Sequence, residues 1–238
     1  MQHLDFTWPD AAMNLACDHA LLDACEAGRL GGVLRFWAPT NYFVVVGYGN
    51  RIGAEVNEAA CKERGIPVLR RCSGGGTVLQ GLGCLNYGLI APAEGPMATI
   101  TGANRHIMEA HQRVFTELLG QPVHTLGITD LAVGGRKFSG NAQRRRRNWL
   151  LFHGTFLLDM DIPLIESLLR RPSLEPDYRA GRSHEAFLMN TGLGAERIKA
   201  AMRRLWGATE PATLVPEQES RQLVEEKYSR PEWNQKWA

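Results

Sequence analysis

The sequence predicts an α+β fold, with a mixed and largely antiparallel β-sheet and helices that flank it. Short runs of β-branched and aromatic residues dominate the middle of the 238-residue chain, and capped segments of helical length lie at its ends and edges. This separation of strands from helices is typical of the α+β class. Nothing in the sequence marks a domain boundary, so residues 1–238 are expected to form one domain.

The predicted helices are placed by capping residues and by glycine stops. Asp10 is a favourable N-cap for a first helix that runs to about Ala27 and ends at Gly28. Gly65 and Gly120 end two later helices in the same way. Beyond the first, the predicted helices cover residues 57–64, 101–119, 162–169, 195–206 and 217–228.

The predicted strands are runs rich in β-branched and aromatic residues, bounded by turn residues. Gly134-Gly135 lies between two such runs and predicts a tight turn. The predicted strands cover residues 33–37, 42–46, 67–71, 85–91, 130–133, 137–142 and 149–158. Residues 172–181 are expected to form a mobile loop.

Composition excludes several classes of protein. Hydrophobic residues make up 44% and charged residues 22% of the chain, as in ordinary globular proteins. No apolar stretch approaches the ~20 residues of a membrane helix, and no secretion signal is visible, so no membrane partner is expected. The five cysteines form no CxxC pair, which favours a reducing, cytoplasmic location. A net charge of +2 is too small to imply nucleic acid by itself.

A glycine loop is the strongest local signal. Arg70 and Arg71 end a predicted strand and lead through Cys72-Ser73 into Gly74, Gly75 and Gly76. Adjacent glycines let the backbone approach an anion closely, and arginines add charged donors for carboxylate or phosphate. The alternative is a glycine-rich turn beside a solvated basic pair. The loop matches neither a P-loop nor a GxGxxG fingerprint, so we expect an anion site of another kind.

A second cluster surrounds Lys137. Strand alternation predicts that Lys137 and Ser139 share one face of a strand. Lys137 is therefore a candidate anion-binding or catalytic lysine, although a solvated hairpin lysine is the ordinary alternative. His153 lies in the next predicted strand, where a packed or surface histidine is expected unless the fold brings it beside Lys137.

Short motifs occur in a fixed order along almost the whole chain: NLA at 14–16, VVVG at 44–47, RRCSGGGTV at 70–78, LNY at 85–87, DL at 130–131, RKFSGNA at 136–142, HGTFLL at 153–158 and YSRPEWN at 228–234. In this order they resemble the motifs of the lipoate–protein ligase family, within the wider biotin/lipoate ligase and octanoyltransferase fold. The resemblance implies one catalytic domain of that type.

The resemblance also implies a reaction and its residues. Lipoate and ATP–Mg²⁺ give lipoyl-AMP, and the lipoyl group then passes to a lysine of an acceptor domain. Lys137 is implied to bind both ATP and the lipoyl carboxylate. The implied nucleotide site comprises Arg71, Gly76, Thr77, Val78 and Leu79, and the further candidates are Arg70, Ser73, Gly74, Gly75 and Asp130, the last for the nucleotide or Mg²⁺. Two roles stay open for residues 44–46: they line an apolar slot for the acyl chain, or they form an ordinary core strand.

The chain departs from the family pattern in two places. Gln80-Gly81 stands where the ligases usually have His-Asp, which removes a carboxylate. The chain also ends with the catalytic domain, whereas two-domain bacterial ligases continue into an accessory domain. We therefore expect a ligase that works alone or with a separate small accessory protein.

Three alternatives remain open. An ATP-independent octanoyl- or lipoyltransferase needs a thiolate, but residues 121–130 and 168–181 contain no cysteine and no cysteine follows Cys84. Cys72 and Cys84 match no known nucleophile position, and buried thiols are expected there.

A biotin ligase is the second alternative, but biotin ligases have a different glycine loop. A non-catalytic binding module would use the arginine run 144–147 for nucleic acid, although a solvated basic turn or a docking site for an acidic acceptor domain also fits.

Overall fold

The computed structural model describes residues 1–172 and 174–237 and confirms the α+β class. Its strands are β1 (Gln2–Asp5), β2 (Val33–Trp37), β3 (Phe43–Val46), β4 (Val68–Arg70), β5 (Val78–Gln80), β6 (Cys84–Pro92), β7 (His124–Leu126), β8 (Asp130–Val133), β9 (Arg136–Arg145), β10 (Trp149–Leu157) and β11 (Glu210–Pro211).

The helices begin and end close to the predicted capping residues. Asp10 Oδ1 accepts hydrogen bonds from Ala12 N at 2.6 Å and Met13 N at 3.2 Å, and Gly120 ends the longest helix in the left-handed region at φ 66°. The helices are α1 (Ala11–Glu26), α2 (Ile52–Glu55), α3 (Glu58–Glu63), α4 (Ile100–Leu119), α5 (Ile162–Leu168), α6 (His184–Phe187), α7 (Ala195–Leu205), α8 (Glu217–Leu223) and α9 (Pro231–Asn234), with a π-helical turn at Val224–Tyr228 and 3₁₀ turns at Gly95–Met97 and Asp177–Arg179.

The strands form two sheets. The large sheet has the order β11-β1-β2-β6-β10-β9-β8-β7, and the small sheet has the order β4-β3-β5. Long antiparallel pairings of β10 with β6 and β9 form the middle of the large sheet, whereas β1 pairs in parallel with β2 and β11. In the small sheet, β3 pairs in parallel with β4 and antiparallel with β5.

The two faces of the large sheet have different partners. One face packs on α4 and α7 through an aromatic-rich core that contains Phe36, Phe115, Phe138 and Phe156. The other face packs on α1 through a second apolar cluster. The small sheet packs against α1 on one side and against α2, α3, α5 and α6 on the other. A cavity remains between this second face of the large sheet and the small sheet.

The elements that the sequence analysis missed are short. β1, β5, β7, β11, α2, α6 and α9 each contain two to four residues, fewer than a periodic pattern needs. β5 matters most for the position of the glycine loop, because it continues directly from that loop and pairs with β3.

The basic run at 144–147 is more structured than a solvated turn. β9 extends through Arg145, whose Nη2 donates to the carbonyl of Ala98 at 2.8 Å. Arg146 forms a salt bridge with Asp23 at 2.6 Å, and Arg147 is exposed.

No helix of the described residues is long and apolar enough to span a bilayer.

Candidate active site

The cavity between the two sheets has a volume of about 710 Å³, within the usual range of small-molecule sites. Strands β5, β6, β9 and β10 supply its floor, and residues 127–130 and 174–188 supply much of its rim. Residue 173 lies outside the described residues, and the predicted mobility of 172–181 stays a prediction. The neighbouring residues 174–179 line the cavity.

Arg71 shapes the glycine loop from inside. Its Nη2 donates to the carbonyl oxygens of Gly74 at 2.6 Å and Gly76 at 2.7 Å, and its Nε donates to Ser73 Oγ at 3.1 Å. Burial lowers the pKa of Arg71 to about 10, so it stays charged at neutral pH. In a trans peptide the N–H points away from the C=O. The N–H groups that follow these carbonyls, those of Gly75 and Thr77, therefore point away from the guanidinium.

This arrangement suits an anion. Gly75, Gly76 and Thr77 line the cavity, and among the described residues we find no acceptor for the N–H groups of Gly74, Gly75 and Gly76. Backbone N–H groups gathered in this way form a site for phosphate or carboxylate oxygens. Arg71 is the scaffold of the loop, and anion binding by the loop stays a prediction.

Glycine is required at two neighbouring points, one in the loop and one directly beneath it. Gly75 has φ +87°, and a Cβ added at Gly47 would lie 2.0 Å from Gly75 O. The VVVG motif thus ends in glycine because the glycine loop lies directly on it. All three valines of that motif are buried in core clusters, and Val45 also lines the cavity. The acyl slot stays a prediction.

Arg70 lies behind the cavity and does not line it. Its fully buried Nη1 donates to the carbonyls of Gly47, Tyr48 and Asn50, and its Nε lies 3.1 Å from the carbonyl of Trp233. Arg70 therefore holds the EWN motif of the chain end against the turn after β3.

Ser73 and His153 form a hydrogen bond of 2.6 Å between Ser73 Oγ and His153 Nε2. Burial, and then the charge of Arg71, lower the pKa of His153 to about 3, so the imidazole is neutral at physiological pH. In the pairing of β10 with β9, His153 lies opposite Ala142 at the glycine-loop end of the cavity, where it is a packed histidine.

Lys137 lies in the cavity with two partners in a row. Its Nζ is 2.8 Å from Asp130 Oδ1, and Tyr178 Oη donates to Asp130 Oδ2 at 2.8 Å. The Lys137 side chain keeps 23% of its surface exposed. A Cβ added at Gly140 would lie 2.7 Å from Nζ, so the glycine of the KFSG motif makes room for the lysine.

The prediction that Lys137 and Ser139 share a face is wrong. A bulge between β8 and β9 adds one residue to β9, which reverses the alternation at this point. Ser139 pairs with Phe156 on the core side and accepts a hydrogen bond from Asn141, whereas Gly140 and Lys137 face the cavity. Sequence alternation alone cannot reveal such a bulge.

A ring of three polar side chains joins the two sheets at the cavity floor and was not predicted. Gln80 Nε2 donates to Thr155 Oγ1 at 2.6 Å, Thr155 donates to Asn86 Oδ1 at 2.5 Å, and Asn86 Nδ2 donates to Gln80 Oε1 at 2.9 Å. Each donor is also an acceptor, so the hydrogen bonds reinforce one another. The sequence signal for this ring was Gln80 itself, which stands where the resemblance leads us to expect histidine.

Gly81 has no space for a side chain, and so none for the carboxylate expected at this position from the resemblance. A Cβ at this position would lie 2.0 Å from the ring of Tyr42. The described residues also contain no group of three or more His, Cys, Asp or Glu side chains arranged to hold a metal ion.

All five cysteines are buried, and none lines the cavity. Burial raises the pKa of Cys84 to about 12, and burial also raises the pKa of Cys72. A buried thiol with a raised pKa is a poor nucleophile. The structure therefore agrees with the expectation that Cys72 and Cys84 are small buried residues.

Sequence comparison identifies the family of the chain. Residues 10–190 match the family model "Lipoyl protein ligase A/B catalytic domain". The chain is similar to the octanoyltransferase LipM of Geobacillus kaustophilus, with 28% identity across 97% of this chain and 96% of the relative. It is also similar to a protein of Aeropyrum pernix that carries a provisional lipoate-protein ligase A name, with 31% identity across 82% of this chain and 70% of the relative.

Solved structures share the fold. A lipoate-protein ligase A bound with ATP superposes with a TM-score of 0.84 and 24% identity, covering 100% of this chain and 99% of the other. The bi-partite lipoate protein ligase of Thermoplasma acidophilum, solved in a study of an archaeal lipoylation system, gives a TM-score of 0.83 and 23% identity, covering 100% and 96%. The fold and the ordered motifs thus agree with the family model, and the chain belongs to the lipoyl protein ligase A/B catalytic domain family of enzymes.

Proposed function

We propose that this enzyme is a lipoate–protein ligase, which activates lipoate with ATP and transfers the lipoyl group to a lysine of an acceptor protein. The observation that carries the proposal is one cavity lined by both the glycine loop and Lys137, without a cysteine. Adenylation needs sites for a polyphosphate and a carboxylate side by side. A transferase without ATP needs a thiolate in the same place.

The residues suit the charges of adenylation. A carboxylate oxygen of lipoate attacks the α-phosphorus of ATP, and pyrophosphate leaves. Both reactants are anionic, so a cation between them reduces repulsion and stabilises the charge that develops. Lys137 supplies that cation, and the N–H groups of Gly75, Gly76 and Thr77 supply neutral donors for phosphate oxygens. Arg71 holds the loop in this form, with Val78 and Leu79 continuing it as β5.

Mg²⁺ is expected to arrive with ATP as part of the substrate. Mg²⁺ is commonly bound by phosphate oxygens and one or two carboxylates. Asp130 is the carboxylate beside Lys137, and it stays the candidate protein ligand for Mg²⁺ or the nucleotide.

Transfer completes the reaction. The amine of the acceptor lysine attacks the carbonyl carbon of lipoyl-AMP, AMP leaves, and the amine loses a proton. The Thermoplasma ligase was studied with its E2 lipoyl domain, which supports a lipoyl domain as the acceptor. That relative is bi-partite, and we propose a separate small accessory protein for this chain too, with residues 1–238 as the catalytic unit.

The second candidate function is octanoyl transfer without ATP. It is favoured by the similarity to LipM octanoyltransferases across 97% of the chain. The buried state of every cysteine argues against a thioester intermediate. Two mass-spectrometric measurements separate the candidates. In the first, the enzyme is incubated with lipoate, Mg²⁺-ATP and a lipoyl domain, and lipoyl-AMP and modified acceptor are sought. In the second, it is incubated with an octanoyl carrier-protein thioester, and an acyl-enzyme is sought.

Lipoyl-AMP and modified acceptor in the first assay support the ligase, whereas an octanoyl-enzyme in the second supports the transferase. The accessory protein is tested by comparing lipoate plus ATP with synthetic lipoyl-AMP as the starting material, using the same acceptor. Much faster transfer from lipoyl-AMP indicates that a partner assists adenylation. Equal rates, with no hydrolysed adenylate, show that the chain works without one.

A further inference from the structure

The segment at residues 174–189 is fastened to the hairpin that carries Lys137. Arg182 Nη2 donates to the carbonyl of Gly135 in the hairpin turn at 3.0 Å, and Met189 N donates to the carbonyl of Lys137 at 2.9 Å. Tyr178 Oη makes a third contact, with Asp130 Oδ2 at 2.8 Å. This third contact differs from the others, because its acceptor also binds the Lys137 ammonium group.

The contacts from Tyr178 to Lys137 form a short chain. Tyr178 fixes one carboxylate oxygen of Asp130, and the other oxygen lies 2.8 Å from Lys137 Nζ. Burial, and then the charge of Asp130, raise the pKa of Tyr178, so its hydroxyl stays a donor throughout the physiological range. Lysine is long and flexible, and an anchored carboxylate restricts where its ammonium group can lie.

The ring of Tyr178 is held independently of its hydroxyl. It packs against Phe187 with 5.1 Å between the ring centroids, and it passes close to Gly127, where an added Cβ would lie 3.5 Å from Cε1. Removing the hydroxyl alone should therefore leave the cavity wall in place. The hydrogen bond to Asp130 can thus be tested apart from the packing.

We propose that Tyr178 is a positioning residue, which fixes the Lys137 ammonium group in the cavity through Asp130. The inference rests on the proposed function, in which Lys137 meets the acyl carboxylate. A donor that is already in place when charge develops contributes more to catalysis than one that must be ordered during the reaction. Tyr178 thereby links the rim segment 174–189 to the cation of the site.

A double-mutant cycle tests the route through Asp130. The variants are Tyr178→Phe, Asp130→Ala and the double variant, with Asp130→Asn as a second choice if Asp130→Ala does not fold. Binding of lipoate and of octanoate is measured by calorimetry, and kcat and KM are measured for lipoyl-AMP formation. Tyr48→Phe is the control for loss of a tyrosine hydroxyl, because the Tyr48 hydroxyl accepts a hydrogen bond from Lys236 and lies outside the cavity.

Tyr178→Phe is expected to lower kcat about tenfold, as loss of one hydrogen bond to a charged group would do, with KM for ATP changed less than about twofold. Acid binding should weaken severalfold. When Asp130 is already replaced, Tyr178→Phe should have almost no further effect, since the two act in one chain. Tyr48→Phe should match the wild type.

An equal loss from Tyr178→Phe in both backgrounds, or no loss in either, would overturn the inference. A wild-type enzyme that binds an acid but neither forms an adenylate nor transfers the lipoyl group from synthetic lipoyl-AMP overturns the ligase proposal, and the cycle in binding affinity then still tests Tyr178. If the wild-type enzyme binds neither acid, Lys137 does not belong to an acyl site, and the inference is overturned as well.

Discussion

At the scale of the residue, the shared motifs divide into residues that hold the fold and residues that face the cavity. Asn14 of the NLA motif accepts a hydrogen bond from buried Arg35, which also forms a 2.6 Å salt bridge with Asp18. Arg70 is likewise internal. Lys137 alone combines a partly exposed charge, a cavity and an anionic neighbour among the predicted site residues. A motif match therefore does not by itself imply ligand contact.

Replacing Lys137 should stop the chemistry without unfolding the enzyme. Lys137→Ala is expected to slow lipoyl-AMP formation about 10²–10³-fold, because it removes a preorganised donor from a developing anion. Lys199→Ala is the control, since Lys199 is also paired with carboxylates at 2.8 Å but lies away from the cavity. Single-turnover adenylation is the measurement, and a wild-type rate for Lys137→Ala would show that the assignment is wrong.

The cysteines should not carry the acyl group. Cys72→Ser and Cys84→Ser are expected to reduce activity modestly at most, because burial raises the pKa of both thiols and neither reaches the cavity. Intact-mass measurement after incubation with an acyl donor should show no thioester in the wild type or in either variant. An octanoyl group on Cys72 or Cys84 would instead place the enzyme with the transferases.

At the scale of the element, the glycine loop is set by contacts on two sides. Arg71 binds its carbonyls from within, and Gly47 lies directly beneath Gly75. The loop then enters β5, which pairs with β3 and so joins the anion site to the small sheet. Three adjacent glycines thus have unequal roles, since only some of them are constrained by neighbours.

Gly75 and Gly74 should differ in their tolerance of alanine. Gly75→Ala is expected to reduce the free energy of unfolding by about 1–3 kcal/mol, because φ is +87° and the new Cβ would lie 3.0 Å from Arg71 Nη2. Gly74→Ala should cost much less, since no atom lies within 4 Å of its added Cβ and its φ is not positive. Urea unfolding measures both, and equal losses would contradict the loop geometry.

At the scale of the whole molecule, the site lies where two sheets meet. The ring of Gln80, Asn86 and Thr155 joins the small sheet to the large one across the cavity floor. Lys137 comes from the large sheet, and Val78 and Leu79 come from the small sheet. The relative position of the two sheets therefore sets the distance between the lysine and the glycine loop.

Acid should destabilise the whole molecule through three histidines whose pKa is lowered in the folded state. Burial lowers the pKa of His111 and His153 from 6.5 to about 3 and that of His19 to about 4. Below about pH 6.5 the unfolded chain binds protons that the folded chain does not, so stability falls as pH falls from 6.5 towards 4. Each histidine contributes up to ~1.4 kcal/mol per pH unit in this window.

The measurement is the free energy of unfolding between pH 7.5 and pH 4.5, roughly the window that these histidines span. His111→Gln should make the curve of unfolding free energy against pH less steep by up to one proton, because His111 is fully buried and does not itself line the cavity. His124→Gln is the control, since His124 is exposed. An identical slope for His111→Gln and the wild type would contradict the proposed linkage.

The sequence by itself determined the fold class, the longer helices and strands, and the family. Caps such as Asp10 and Gly120, the Gly134-Gly135 turn and ordered motifs are local features, and local features can be read from neighbouring residues. Only the tertiary structure decided which face Lys137 uses, because a bulge in β9 depends on pairing with β8. The inward turn of Arg70, the Gln80–Asn86–Thr155 ring and the link from Tyr178 through Asp130 likewise join residues far apart in the chain. Such contacts arise from how the sheets pack, which no local pattern specifies.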